Sequence, residues 1–173
     1  MVLPKSYFYD SAERLAPDLL GKLLCRRTAE GVLRLRVTET ECYLGEEDTA
    51  CHAHRGKTPR NAIMYEKGGN AYVYLCYGVH HLLNLTTGEE GHPEAVLIRG
   101  VEGISGPGRV TKAMRVDKAC NTLALCEENG LWVEDDGIHL PYVATPRVGI
   151  DYASEEDRDR LWRFVAIQTE RRK

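Results

Sequence analysis

Between Glu39 and Asn61 the chain reads ETECYLGEEDTACHAHRGKTPRN. The stretch opens on carboxylates, passes through Cys51-His52-Ala53-His54, and closes on Arg55, Lys57 and Arg60 with no acid among them. Three chemistries fit such a list: a metal site, an acid–base site, or a solvated loop. A metal site needs three or four ligands at defined spacing. Cys42, Cys51, His52 and His54 supply soft and imidazole ligands, but the spacing is cramped and the second pair that completes a zinc knuckle is missing. There is no His-Glu-x-x-His, and no Gly-x-Ser-x-Gly elbow for a serine nucleophile. The expectation is no metal and no cofactor. Cys25 and Cys76 read as packing residues, and His80, His81, His92 and His139 gain no role from pattern alone.

The carboxylates must be positioned by a strand. In VLRLRVTETECYL side chains alternate faces with period two. Leu33, Leu35 and Val37 share one face, and the same phase puts Glu39, Glu41 and Tyr43 on it, unless a bulge resets the alternation. Two carboxylates would then point inward, where an unpaired charge is costly and where acid–base sites tune their pKa values. A glutamate at a strand end reaching water is the blander alternative for either residue.

Other elements follow from local signals. SAERLAPDLLGKLLCRR has Ser11 as a cap, Pro17 where a helix can restart, and Leu19, Leu20, Leu23 and Leu24 at helical spacing. Ala29-Glu30-Gly31 reads as the turn of a hairpin. NAYVYLCYGVHHLLNL reads as two strands around Tyr77-Gly78, with Tyr77 an exposed aromatic at the tip. Asn84 lies within an apolar run and needs partners, from nearby backbone or from a ligand edge. EAVLIRGVEG is a further strand whose Arg99 calls for an anion. GPGRVTKAM is a glycine-rich turn into a short helix. GLWVED and PRVGI read as late strands, and SEEDRDRLWRFVAIQ as a Ser154-capped turn or a strand.

At 173 residues, 43% hydrophobic and 28% charged, the composition is that of one soluble domain spanning residues 1–173. No run is apolar enough to span a bilayer, and MVLPKSYFYD lacks the order of a signal peptide. Six cysteines without a Cys-x-x-Cys suit small buried hydrophobes in a reducing compartment. The net charge of −3 argues weakly against nucleic acid, but the segment from His52 to Arg60 is locally basic, and local field counts for more than the total. Cations beside exposed aromatics are the residue chemistry of nucleic-acid binding, and a carboxylate among them suggests water activation.

RVTETECYLGEEDTACHAHRGKTPRNAIMY, YVYLCYGVHHLLN, VLIRGVE and GPGRVTKAM resemble the alkyladenine (methylpurine) DNA glycosylases of the mammalian 3-methyladenine type, in order from about Leu15 to Ile150. The specific combination is Glu-x-Tyr with a histidine eleven residues after the glutamate, then Tyr-Val-Tyr, Tyr-Gly and a downstream asparagine. The resemblance implies a mixed α/β (α+β) domain around a curved antiparallel sheet, with a protruding hairpin and flanking helices. It also implies an enzyme, without metal or cofactor, that flips alkylated purines from double-stranded DNA and hydrolyses the N-glycosidic bond. By resemblance Glu41 is the base that activates water, and Arg99 and the Val148 carbonyl hold that water. Tyr43, His52 and Tyr74 line the base pocket, with the backbone of Ala50 or His52 at the base edge, and Asn84 crowds the amino group of normal guanine. Tyr77, followed by Val79, wedges into the helix, and Arg55, Lys57, Thr58 and Arg60 grip phosphates. A cationic base such as 3-methyladenine stacks on tyrosine and leaves readily, so a monofunctional enzyme without lyase chemistry is expected. It would act as a monomer in the cytosol, at the nucleoid or in a nucleus, and not be secreted or bind a membrane. EKGGNA before Tyr72 departs from the Pro-Gly usual there. Val79 stands where Met is frequent, and the chain ends soon after LWRFVAIQTERRK, short of the usual C-terminal segment.

Overall fold

A computed structural model describes residues 1–167. Its framework is a curled antiparallel sheet ordered β3-β4-β5-β2-β1-β7, with β6 on β5 and β9 bridging β2 and β8. The strands are β1 (Leu23–Thr28), β2 (Gly31–Leu44), β3 (Ala71–Cys76), β4 (His80–Thr87), β5 (Glu94–Val101), β6 (Ile104–Ser105), β7 (Leu131–Glu134), β8 (Tyr142–Thr145) and β9 (Arg163–Ala166). Three short helices join them: α1 (Ala12–Asp18), α2 (Pro107–Met114) and α3 (Glu155–Asp159). The expected mixed α/β class with a curved sheet and protruding hairpin is the class observed. Among the described residues no helix is long and apolar enough to cross a membrane.

Ser11 caps α1 by accepting from the Arg14 amide at 3.3 Å. The helix stops sooner than its leucines suggest. Pro17 sits in its last turn, Gly21 takes a φ of +96° just beyond, and Leu23 and Leu24 belong to β1. The helical spacing continued across a helix-to-strand junction because both elements bury leucine on the same core. That core packs Leu15, Leu19, Leu20 and Leu24 with Val37, Leu83, Val96, Ile98 and Met114.

The long strand β2 decides where the carboxylates go. Its first half pairs with β1, from Thr28↔Gly31 to Leu23↔Arg36, and its second half with β5 and β9. Between Val37↔Val101 and Thr40↔Ile98 the register slips, with an extra residue on each strand. Gly100 permits this crowding: a Cβ there would lie 3.1 Å from the Glu39 Cβ. The slip reverses the alternation. Leu33, Leu35 and Val37 face the main core, but beyond the bulge Cys42 and Leu44 do so, and Thr40 Oγ1 donates to the Ala16 carbonyl at 2.7 Å. Glu39, Glu41 and Tyr43 therefore leave the face predicted for them and point to the other side of the sheet. They are nonetheless covered, because the segment 146–153 and the aromatic side chains of β3 form a second layer there. PRVGI, expected as a strand, is an irregular segment within that layer, and the strand before it is β8. SEEDRDRLWRFVAIQ holds both elements it suggested: Ser154 caps α3, and β9 follows.

Candidate active site

Glu41 is fully buried on the second face. Its Oε2 accepts the Val148 amide at 2.6 Å, and its Oε1 accepts the Tyr43 hydroxyl at 3.0 Å. Arg99, on the same face of β5, places Nη1 3.5 Å from Oε1 and donates from Nε to Glu39 at 3.2 Å. Arg163 of β9 also donates to Glu39, at 2.6 Å. One guanidinium thus spans two carboxylates, and Glu39 has a second cation to balance it. Burial pushes the Glu41 pKa above its ordinary value, while Arg99, the Val148 amide, Tyr43 and Arg147 hold it down. A buried carboxylate with a raised pKa and a fixed orientation suits a general base. Val148 bonds the carboxylate through its amide, and its side chain is partly exposed at the edge of the site.

On the far side of Tyr43, the hydroxyl partner of Glu41, lies a slot of about 30 Å³ lined by Tyr43, Ala50, Cys51, His52, Met64, Tyr72, Tyr74, Asn84, Ala95 and Tyr152. It opens beside a cleft of about 510 Å³ that Arg99, Val148, Tyr77 and the start of α2 also line. β3 presents Tyr72 and Tyr74 because alternate residues point to this side, while Ala71 and Val73 face the main core. The His52 ring lies 4.4 Å from that of Tyr74, and its Nδ1 is 2.8 Å from the Tyr72 hydroxyl. Although one edge of the ring reaches solvent, the surrounding protein and then Arg60 depress its pKa to about 4, so it is neutral at pH 7. Asn84 is buried and donates to the Tyr72 carbonyl at 3.3 Å, which is the backbone partner the sequence left open, with its side chain also on the slot wall. The Ala50 carbonyl accepts the Tyr152 hydroxyl at 2.9 Å.

The β3–β4 hairpin carries Tyr77 and Gly78 at its tip, with φ of +51° and +67°. Tyr77 is 91% exposed and Val79 71%. Arg55, Lys57, Thr58 and Arg60 are all exposed. Asn61 closes their loop by accepting from the Thr58 amide and donating to the His52 and Gly56 carbonyls. Lys57 and Arg60 lie over the Tyr65 and Tyr74 rings, at 5.7 and 5.5 Å, so both are drawn toward the aromatic layer. His54 turns away from His52 and bonds the Glu46 carbonyl through Nδ1 at 2.8 Å. Among the described residues no three His, Cys, Asp or Glu side chains are grouped as a metal would require. All six cysteines are free, four of them buried.

The profile of the methylpurine-DNA glycosylase family matches residues 6–105 and 102–170. The chain belongs to the methylpurine-DNA glycosylase family. It is 43% identical to a protein of Methanocella arvoryzae, over 94% of this chain and 91% of that one. It is 40% identical to a protein of Psychrobacter cryohalolentis, over 95% and 91%, and 40% identical to one of Sodalis glossinidius, over 96% and 97%. All three are proteins to which 3-methyladenine DNA glycosylase activity is ascribed. Family membership makes the protein a DNA glycosylase, a hydrolase of N-glycosyl bonds that acts in DNA repair.

The candidate site contains side chains that the sequence reading passed over. Arg147 is fully buried and clamps Asp48 from Nη1 at 2.7 Å and from Nη2 at 2.9 Å. Its guanidinium lies 4.9 Å from the Tyr43 ring and 4.9 Å from the Trp162 ring. Tyr152 was likewise passed over, and Glu39, read with Glu41 as one of two inward carboxylates, is the anion that Arg99 and Arg163 share. The available signals were faint. Arg147 precedes Val148 in an otherwise apolar run, and Asp48 is one acid among several in GEED. Neither pattern says that the two meet across 99 residues.

Proposed function

We propose that this glycosylase removes alkylated purines, 3-methyladenine and 7-methylguanine foremost, from double-stranded DNA and leaves an abasic site. The same slot would take hypoxanthine or ethenoadenine if it accommodates a neutral base. The observation that carries the reading is the burial of Glu41 between the Val148 amide and Arg99, directly behind Tyr43, which lines both an aromatic slot and the open cleft that Arg99 and Val148 also border. Glu41 accepts a proton from water, the water oxygen bonds C1′, and the C1′–N bond breaks with its electron pair going to the purine. An alkylated purine is already cationic, so it departs neutral without an acid to protonate it. No lysine lines the slot or the cleft, which suits hydrolysis without an imine intermediate.

Tyr43 forms one wall for the flipped base, His52 and Tyr74 the other, and Asn84 and the Ala50 backbone meet its edge. The empty slot holds about one water. A base that filled the slot would displace a lining side chain, of which His52 and Tyr152 are the exposed ones, whereas the adjoining cleft offers about 510 Å³ against Tyr43, His52 and Tyr74. Tyr77 and Val79 at the hairpin tip fill the gap the base leaves, and the loop Arg55–Arg60 contacts phosphates. The working unit is a monomer on DNA.

The test is base release from methylated duplex DNA by wild type and Glu41→Gln, with binding to an abasic-site analogue as the folding control. Release by wild type, with intact binding and no release by Glu41→Gln, is the expected result. Equal release by both would remove Glu41 from the mechanism, and binding without release by wild type would overturn the activity itself.

A further inference from the structure

Arg147 stands at the centre of a buried assembly. Its carboxylate partner Asp48 also accepts the Leu44 amide at 3.0 Å and the Ala50 amide at 3.1 Å. Arg147 donates to the Cys42 carbonyl at 3.0 Å, between Glu41 and Tyr43, and to the Asp157 carbonyl in α3 at 3.3 Å. Its guanidinium is stacked between Tyr43 and Trp162, and Arg160 covers Trp162 in turn at 4.7 Å. The next residue, Val148, puts its amide on Glu41 Oε2. One side chain therefore fastens the end of β2, the loop carrying Ala50, the segment carrying the Val148 amide, and the back of the Tyr43 ring.

A bidentate ion pair with no solvent exposure contributes little net stability on average, because desolvation offsets the attraction. The planar guanidinium does something that a methionine or leucine of similar volume would not: it ties the end of β2, the loop carrying Ala50 and α3 to its own segment around a fixed plane. We propose that Arg147, held by Asp48, is the positioning residue of the glycosylase site, setting the orientation of the Glu41 carboxylate through Val148 and of the Tyr43 wall by stacking. This rests on the proposed function for its catalytic consequence. Misplacing the base or the wall by an ångström costs on the order of 100-fold in rate. Loss of Arg147 also removes a cation and an oriented amide from Glu41. The groups left around Glu41 are the Val148 amide, Arg99 from β5, Tyr43 from β2, Tyr74 from β3 and Tyr152 from the covering segment, with Glu39 of β2 and Arg163 of β9 paired to each other next to Arg99. Among the described residues Arg99 is then the one cation in contact with Glu41, so the carboxyl would ionise at higher pH.

Two variants separate positioning from bulk stability. The pair Asp48→Asn with Arg147→Met removes both charges together and leaves no buried ion unpaired. Arg147→Lys keeps the charge but not the plane. For each, the Glu41 carboxyl is titrated by carbon-13 NMR, the single-turnover base release is followed against pH, and binding to an abasic-site duplex is measured. In the double variant the Glu41 midpoint and the acid limb of the rate should rise together, the plateau rate should fall on the order of 100-fold, and abasic binding should stay within a few fold. Arg147→Lys should lose plateau rate with a smaller change in midpoint. A folded double variant that keeps both the wild-type midpoint and the wild-type plateau rate overturns the inference. If the double variant does not fold, Arg147→Lys decides: a wild-type plateau rate overturns the inference, and a reduced plateau with intact abasic binding supports it. The NMR midpoint needs no turnover, so a wild type that released no base would sink the proposed function and leave this inference to stand or fall on the titration.

Discussion

The Val148 amide donates to Glu41 Oε2 at 2.6 Å across 107 residues of chain. This bond fixes which oxygen of a fully buried carboxylate is engaged, and leaves Oε1 to Tyr43 and Arg99.

The pH dependence of base release should reflect that environment. Burial raises the Glu41 pKa, so the acid limb of the single-turnover profile should lie above the ordinary glutamate value of about 4.3. Arg99 holds the pKa down, so Arg99→Gln should move the limb to higher pH. A limb at or below the ordinary value in wild type would show that Glu41 is not the group being titrated.

Glu41 should also cost stability. Its folded pKa exceeds its unfolded one, so the folded state is favoured below the ordinary glutamate pKa and loses that advantage as pH rises through the raised value. The penalty grows as pH rises through the raised value. Glutamine does not ionise, so the stability of Glu41→Gln relative to wild type should shift in the variant's favour as pH rises, on top of a pH-independent cost from its amide NH2 meeting a donor on one side of the site. Calorimetric melts of both proteins across pH 4–7 check the sign.

At the hairpin tip, stability and activity should part. Tyr77 holds a φ of +51°, a region that glycine occupies without steric cost. Tyr77→Gly should leave stability unchanged or raise it by up to about 1 kcal/mol. Because Tyr77 is 91% exposed, no core packing is lost. Excision from duplex DNA should nevertheless fall sharply. Parallel melts and single-turnover assays test this, and undiminished excision would exclude Tyr77 as the wedge.

The basic loop should govern the salt dependence of binding and leave lesion preference alone. Lys57→Ala should reduce the slope of log K against log salt by about 1, the release of one phosphate contact. Its affinity for methylated and undamaged duplex should drop by the same factor. An unchanged slope would place Lys57 off the DNA, held only over the Tyr65 ring.

His52 should contribute to acid lability. Its pKa is lowered to about 4, so the neutral ring favours the folded state, and that contribution is lost as pH falls from about 6.5 through 4. The ring edge reaches solvent, which keeps the effect small. His52→Phe should flatten the stability–pH curve in this window, and denaturant melts at intervals of half a pH unit would reveal it.

Local signals in the sequence were reliable where the physics is local. Ser11 caps α1 with its own hydroxyl, and Gly31 and Gly78 take the positive φ that closes β1 onto β2 and turns the hairpin tip, each an effect of the residue itself. They misled where two elements share one core. Leu19 to Leu24 keep helical spacing across the end of α1, and PRVGI looks like a strand because it is apolar. The phase of β2 failed for a different reason: a bulge of one residue, accommodated by Gly100, carries no mark in the residues of β2.

The sequence by itself determined which chemistry is available: a carboxylate pair, tyrosines, a histidine and a basic loop, in an order that resembles one glycosylase family. Only the tertiary structure decided how that chemistry is set. It turned Glu41 away from the main core and buried it all the same, under a segment more than 100 residues downstream. It also brought Arg147 onto Asp48 and behind Tyr43. Side-chain type is a property of one residue and can be read at once. Burial, orientation and pKa are sums over atoms from distant segments, and they exist only when the chain has folded.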